Sequence, residues 1–104
     1  MFDKLIEAKQ KAEELKKRLD GITVSASAEG GKIAVTATAN KVVKSITIDE
    51  EFLEDAGRDE LEELLVVAIN KALEQAEKIH QSEMTALSRD MLGGMGGLGN
   101  LFGK

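Results

Sequence analysis

The chain has 104 residues, no cysteine and a formal net charge of −5. A chain of that length is one domain burying roughly two-thirds of its unfolded surface, and the lack of cysteine excludes disulfides and thiolate metal sites. Of its hydrophobic residues twelve are alanine and three are phenylalanine, so the core is thin and a second copy of the chain is expected to complete it.

Residues 2–19 read as a helix. Leu5, Ala8, Ala12, Leu15 and Leu19 recur at alternating spacings of three and four, the seam of a coiled coil, with Lys4, Lys9, Lys11, Lys16 and Arg18 beside it. A stripe this narrow must dock on another long helix, in this chain or in a second copy. Lys16, Lys17 and Arg18 oppose the negative end of the helix dipole, and Gly21 stands where a left-handed residue would end the helix. The opening segment MFDKLIEAKQ is charged from Asp3 onward, so no secretion signal is expected.

From Ile22 the period becomes two. Ile22, Val24, Ala26 and Ala28 point one way and Thr23, Ser25, Ser27 and Glu29 the other, a strand with one wet face. Gly30-Gly31 supplies the positive φ angles of a hairpin, and Ile33, Val35, Ala37 and Ala39 form the return strand. Asn40-Lys41 marks a second turn, and Val42, Ile46 and Ile48 a third strand.

Asp49 is placed to cap one turn containing Phe52 and Leu53, and Asp59 with Glu62 has the form of a capping box. A helix is predicted from Glu60 to Leu92, roughly 50 Å long at 1.5 Å per residue, with Ile79, Met84 and Leu87 continuing the helix seam. Its run Leu64–Ile69 is too short to cross a bilayer. The expected fold is α+β, an N-terminal helix, a three-stranded antiparallel meander and a long C-terminal helix. Residues 1–92 form one domain, and the glycine-rich 93–104 is expected to be a flexible tail.

Charge is unevenly placed: residues 1–48 carry a net +3, residues 49–63 a net −8, and the remainder is neutral. Local potential, not the total, steers a charged partner, so a basic surface coexists with an acidic chain. No catalytic constellation is present. His80 is the only histidine, and Glu74, Glu77 and Glu83 near it read as a solvated helix face. Ser82 and Ser88 lack a partnered base. No enzyme activity, metal, cofactor or small-molecule substrate is therefore expected. By spacing alone the basic border has two readings, an answer to Glu62, Glu63, Glu74 or Glu77 on a paired helix, or a surface for phosphate. The absence of Tyr and Trp disfavours stacking on single strands and leaves contacts along a duplex.

The whole layout resembles the YbaB/EbfC family of bacterial nucleoid-associated proteins. The resemblance covers about residues 1–92. It rests on Gly31-Lys32-Ile33-Ala34-Val35, on Ser45-Ile46-Thr47-Ile48-Asp49 followed by Phe52-Leu53, and on Asp59-Glu60-Leu61-Glu62 with Val67-Ala68, Asn70 and Ala72. Glu50 stands where the family usually has proline, and Lys41 where glycine often follows the asparagine. The resemblance implies a tweezer-like homodimer whose sheets associate. It would bind double-stranded DNA in the nucleoid of the cytoplasm and influence nucleoid organisation and gene expression, with contacts on the first and last helices. On those helices the visible cations are Lys4, Lys9, Lys11, Lys16, Lys17 and Arg18, then Lys78 and Arg89. A prefoldin-like chaperone or a protein-interaction scaffold is the alternative expectation.

Overall fold

The computed structural model describes residues 2–93. Its elements follow the order α1 (Phe2–Asp20), β1 (Thr23–Ala28), β2 (Ile33–Thr38), β3 (Val43–Ile48), α2 (Glu50–Asp55) and α3 (Arg58–Gly93). The strands form one antiparallel sheet in the order β1-β2-β3, and the molecule measures 63 × 29 × 17 Å. The α+β expectation holds. The expected tail, from 94 onward, lies outside the described residues, and Gly93 belongs to α3.

Local chemistry explains most boundaries. Asp49 caps α2, its carboxylate accepting from the Phe52 amide at 3.1 Å, as its position before an acidic first turn leads one to expect. The first hairpin takes positive φ at Gly30 and Gly31, and Glu29 joins them at +54°. With Ala28 and Ile33 paired, four residues rather than two make the loop. Two expectations are corrected. Gly21 is not left-handed: α1 closes instead with tightened bonds from the amides of Gly21 and Ile22 to the carbonyls of Arg18 and Leu19, at 3.0 and 3.1 Å. α3 starts at Arg58, before the predicted capping box, with the Leu61 amide on the Gly57 carbonyl at 3.0 Å. Asp59 and Glu60 therefore lie inside the first turn, where they still favour the positive end of the dipole.

The core is built from small residues. Val24, Ala26 and Ala28 of β1 and Ile33, Val35 and Ala37 of β2 meet Ala68, Ala72 and Ala76 of α3, which recur every fourth residue and are fully buried. Alanine there lets the helix axis approach the sheet closely, so little side-chain volume fills the layer.

The third strand departs from the expected pattern. A bulge between Thr36 and Ala37 pairs Thr36 with Ser45 but Ala37 with Val43, leaving Lys44 as the extra residue. Val43, not Val42, thus shares the inward face with Ile46 and Ile48, which pair with Val35 and Ile33. α3 packs on β1 and β2. Val43 and Ile46 consequently stay 39% and 45% exposed.

Candidate nucleic-acid interface

Two helices carry the candidate residues. Beyond the sheet, the second half of α3 receives α1, and the apolar tie is Leu15 and Leu19 with Ala39, packed by Ile22, Ile79 and Leu87. Leu15 and Leu19 are 5% and 1% exposed, whereas Leu5 and Ile6 are 67% and 56% exposed. The predicted seam is thus split. Its C-terminal half is buried within the chain, Ala8 and Leu87 are half-buried, and Leu5, Ala12 and Met84 remain open.

The helices run antiparallel, as their ion pairs record. Lys11 Nζ lies 3.2 Å from Asp90 Oδ2 and 3.7 Å from Glu7 Oε1, and Arg18 pairs with Glu83. The hydrogen bond to Asp90, with its charge, holds the Lys11 ammonium above the usual lysine range. A cleft of about 330 Å³ between the helices is lined by Lys11, Glu14, Leu15, Arg18, Ala86, Leu87 and Asp90. One further bond fixes the end of α1: the Asn40 side-chain amide donates to the Lys16 carbonyl at 2.9 Å and also to the Asp20 carboxylate.

These contacts sort the eight cations. Lys11 and Arg18 are neutralised within the chain, while Lys4, Lys9, Lys16, Lys17, Lys78 and Arg89 are exposed and have no ion pair among the described residues. The acids that answer α1 are Glu83 and Asp90, not the expected Glu62, Glu63, Glu74 or Glu77. Glu62 pairs with Arg58 on its own helix at 3.6 Å, and Glu77 takes Lys41 at 2.6 Å. Hydrogen bonds from Lys41 and then Gln81 hold the Glu77 carboxyl below the ordinary carboxylate value. Sequence spacing carries no sign of these partners, because the register between α1 and α3 depends on the whole intervening meander.

His80 is half-buried, and its Nδ1 is buried without a hydrogen-bond partner. Among the described residues no three His, Asp or Glu side chains converge as a metal would require. No described helix is long and apolar enough to cross a membrane. What the two helices present is an array of exposed cations, suited to a polyanion rather than to a small substrate.

The model of the YbaB/EbfC DNA-binding family matches residues 1–91. A protein of Flavobacterium johnsoniae named nucleoid-associated protein is 41% identical over 102 residues, covering 98% of this chain and 94% of its own. One of the same name from Acetivibrio thermocellus is 38% identical over 90 residues, covering 86% and 73%. The crystal structure of an uncharacterised Helicobacter pylori protein superposes with a TM-score of 0.70 at 20% identity, covering 85% of this chain and 88% of the other, a likeness of fold. The family match over nearly the whole described length, agreeing with the helix–meander–helix order, makes this chain a member of the YbaB/EbfC DNA-binding family.

Proposed function

We propose that the chain acts as a homodimer that binds double-stranded DNA mainly through phosphate contacts, within the bacterial nucleoid, and so influences nucleoid organisation and gene expression. The observation that carries the binding mode is the set of six exposed, unpaired cations on α1 and α3, in a protein whose acids concentrate in residues 49–63. Phosphate contacts of this kind give affinity without sequence readout. The dimer is supported by the open side of the sheet. Val43 and Ile46 on β3 lie beyond the cover of α3, and Leu53 and Val66 add exposed apolar surface at 49% and 58%. Strand β1, at the other edge, is partly stoppered: Lys71 Nζ donates to the Ser27 carbonyl at 3.3 Å. An edge blocked by lysine resists pairing, which leaves β3 as the side for a second copy.

Fluorescence anisotropy on a labelled duplex across a salt series tests this reading. A dimer neutralising about four phosphates gives a slope of log K against log salt of roughly −4. No binding at about 50 mM salt, or binding indifferent to salt, refutes the proposal. Sedimentation supplies the mass, and a folded monomer at micromolar concentration refutes the dimer.

A further inference from the structure

One row on α3 differs from all the rest of the acidic chain. Lys71, Gln75, Lys78, Ser82, Thr85 and Arg89 follow at spacings of four, three, four, three and four, and all six are exposed. Such spacing keeps them on one face of an α-helix, and the eighteen residues from first to last span about 27 Å. Every member can donate a hydrogen bond, and none is a carboxylate.

The surroundings reinforce this. Two carboxylates adjoin the row in sequence on the side facing α1, Glu83 after Ser82 and Asp90 after Arg89, and both are already answered, by Arg18 and Lys11. The in-chain ion pairs that remove Lys11 and Arg18 from the pool of free cations thereby also remove the local negative charge beside the row. On the solvent side Glu74 borders it, four residues before Lys78. Helix α1 offers nothing comparable, because Lys9, Lys16 and Lys17 are interspersed with the exposed Glu13, Glu14 and Asp20. At the head of the row Lys71 is engaged by the Ser27 carbonyl, beside a shallow hollow of about 360 Å³ that Ser25 and Gln75 also line.

We propose that this acid-free row on α3 is the surface that tracks the phosphate backbone of duplex DNA, with Lys78 and Arg89 neutralising phosphates and Gln75, Ser82 and Thr85 donating uncharged hydrogen bonds. The assignment rests on the DNA-binding reading above and narrows it. Its length matches about eight base-pair steps at 3.4 Å each. Two cations in each of two protomers make up the four phosphates of that reading, so this row alone accounts for the salt slope. Phosphate oxygens accept from hydroxyl and amide donors as readily as from cations, whereas a carboxylate in the row would repel them.

The test compares three full-length variants by salt-dependent anisotropy on the same duplex, each first checked by circular dichroism and sedimentation. K78Q/R89Q is expected to flatten the slope to near zero and to weaken binding at low salt by about tenfold or more. S82A/T85A is expected to weaken binding several-fold at an unchanged slope, since it releases no counterion. K9Q/K16Q/K17Q is expected to keep the wild-type slope. If K78Q/R89Q retains more than half of the wild-type slope, or if the α1 triple variant loses it, the row is overturned while DNA binding by the wild type still stands. Failure of the wild type to bind would instead refute the broader reading.

Discussion

Leu5 and Leu19 are the same side chain at equivalent positions of one helical seam, yet Leu5 is 67% exposed and Leu19 is 1% exposed. Truncating each to alanine therefore measures how much of the seam the chain itself covers. Leu19→Ala removes three buried carbons at about 0.8 kcal/mol each and leaves a void that Leu15, Ala39, Ile79 and Leu87 cannot fill without moving. The expected cost is about 3 kcal/mol, within the range for buried leucine truncations. A chain of 104 residues has an unfolding entropy of about 0.22 kcal/mol/K, so the melting midpoint should fall by about 14 °C. Leu5→Ala loses only about a third of the transfer term and opens no cavity, so its cost should stay under about 1 kcal/mol, or less than about 5 °C. Thermal and urea denaturation followed by circular dichroism, at one fixed protein concentration, gives both values. Equal losses for the two variants would show that Leu5 is as buried as Leu19 in the working protein. The in-chain docking of α1 on α3 would then not be what covers the seam.

Asn40→Ala should cost about 1 kcal/mol in urea denaturation, because it removes the donor shared by the Lys16 carbonyl and the Asp20 carboxylate at the end of α1; no change would show that the turn does not hold the helix. Val43→Lys with Ile46→Lys should yield a folded protein of half the sedimenting mass, since both positions are open in the single chain; a persistent dimer would place the interface elsewhere. Glu77 has a folded value lowered from 4.5, mainly by Lys41, so its contribution is present above pH 4.5 and lost as pH falls through the lower folded value. Glu77→Gln should flatten the acid limb of a urea-midpoint profile, and an unchanged limb would discount the Lys41 contact. Lys11 has a folded value raised from 10.5, chiefly by Asp90, so its contribution is present below pH 10.5 and lost as pH climbs through the raised value. Lys11→Gln should remove that alkaline dependence.

Element type and order were legible because each rests on near-neighbour physics. The period of two in Val24, Ala26 and Ala28, the glycines at 30 and 31, the Asp49 cap and the unbroken apolar spacing of α3 all act within a few residues. The errors came where two local solutions were nearly equal in energy. Gly21 permits a left-handed end to α1, but a tightened last turn meets the same carbonyls, and the bulge at Lys44 cannot be read from β3 alone because it is a property of its pairing with β2.

The candidate site was legible only as a set of charges. By itself the sequence determined that cations crowd the first helix, that the third quarter is acidic, and that both helices need an apolar partner, since composition and spacing are properties of a line of residues. Which cations remain free was decided by tertiary structure. The antiparallel register of α1 on α3 brings Lys11 to Asp90 and Arg18 to Glu83, seventy-nine and sixty-five residues apart. Charge pairing depends on distances of a few ångströms, and those distances exist only after the meander has set where one helix lies along the other.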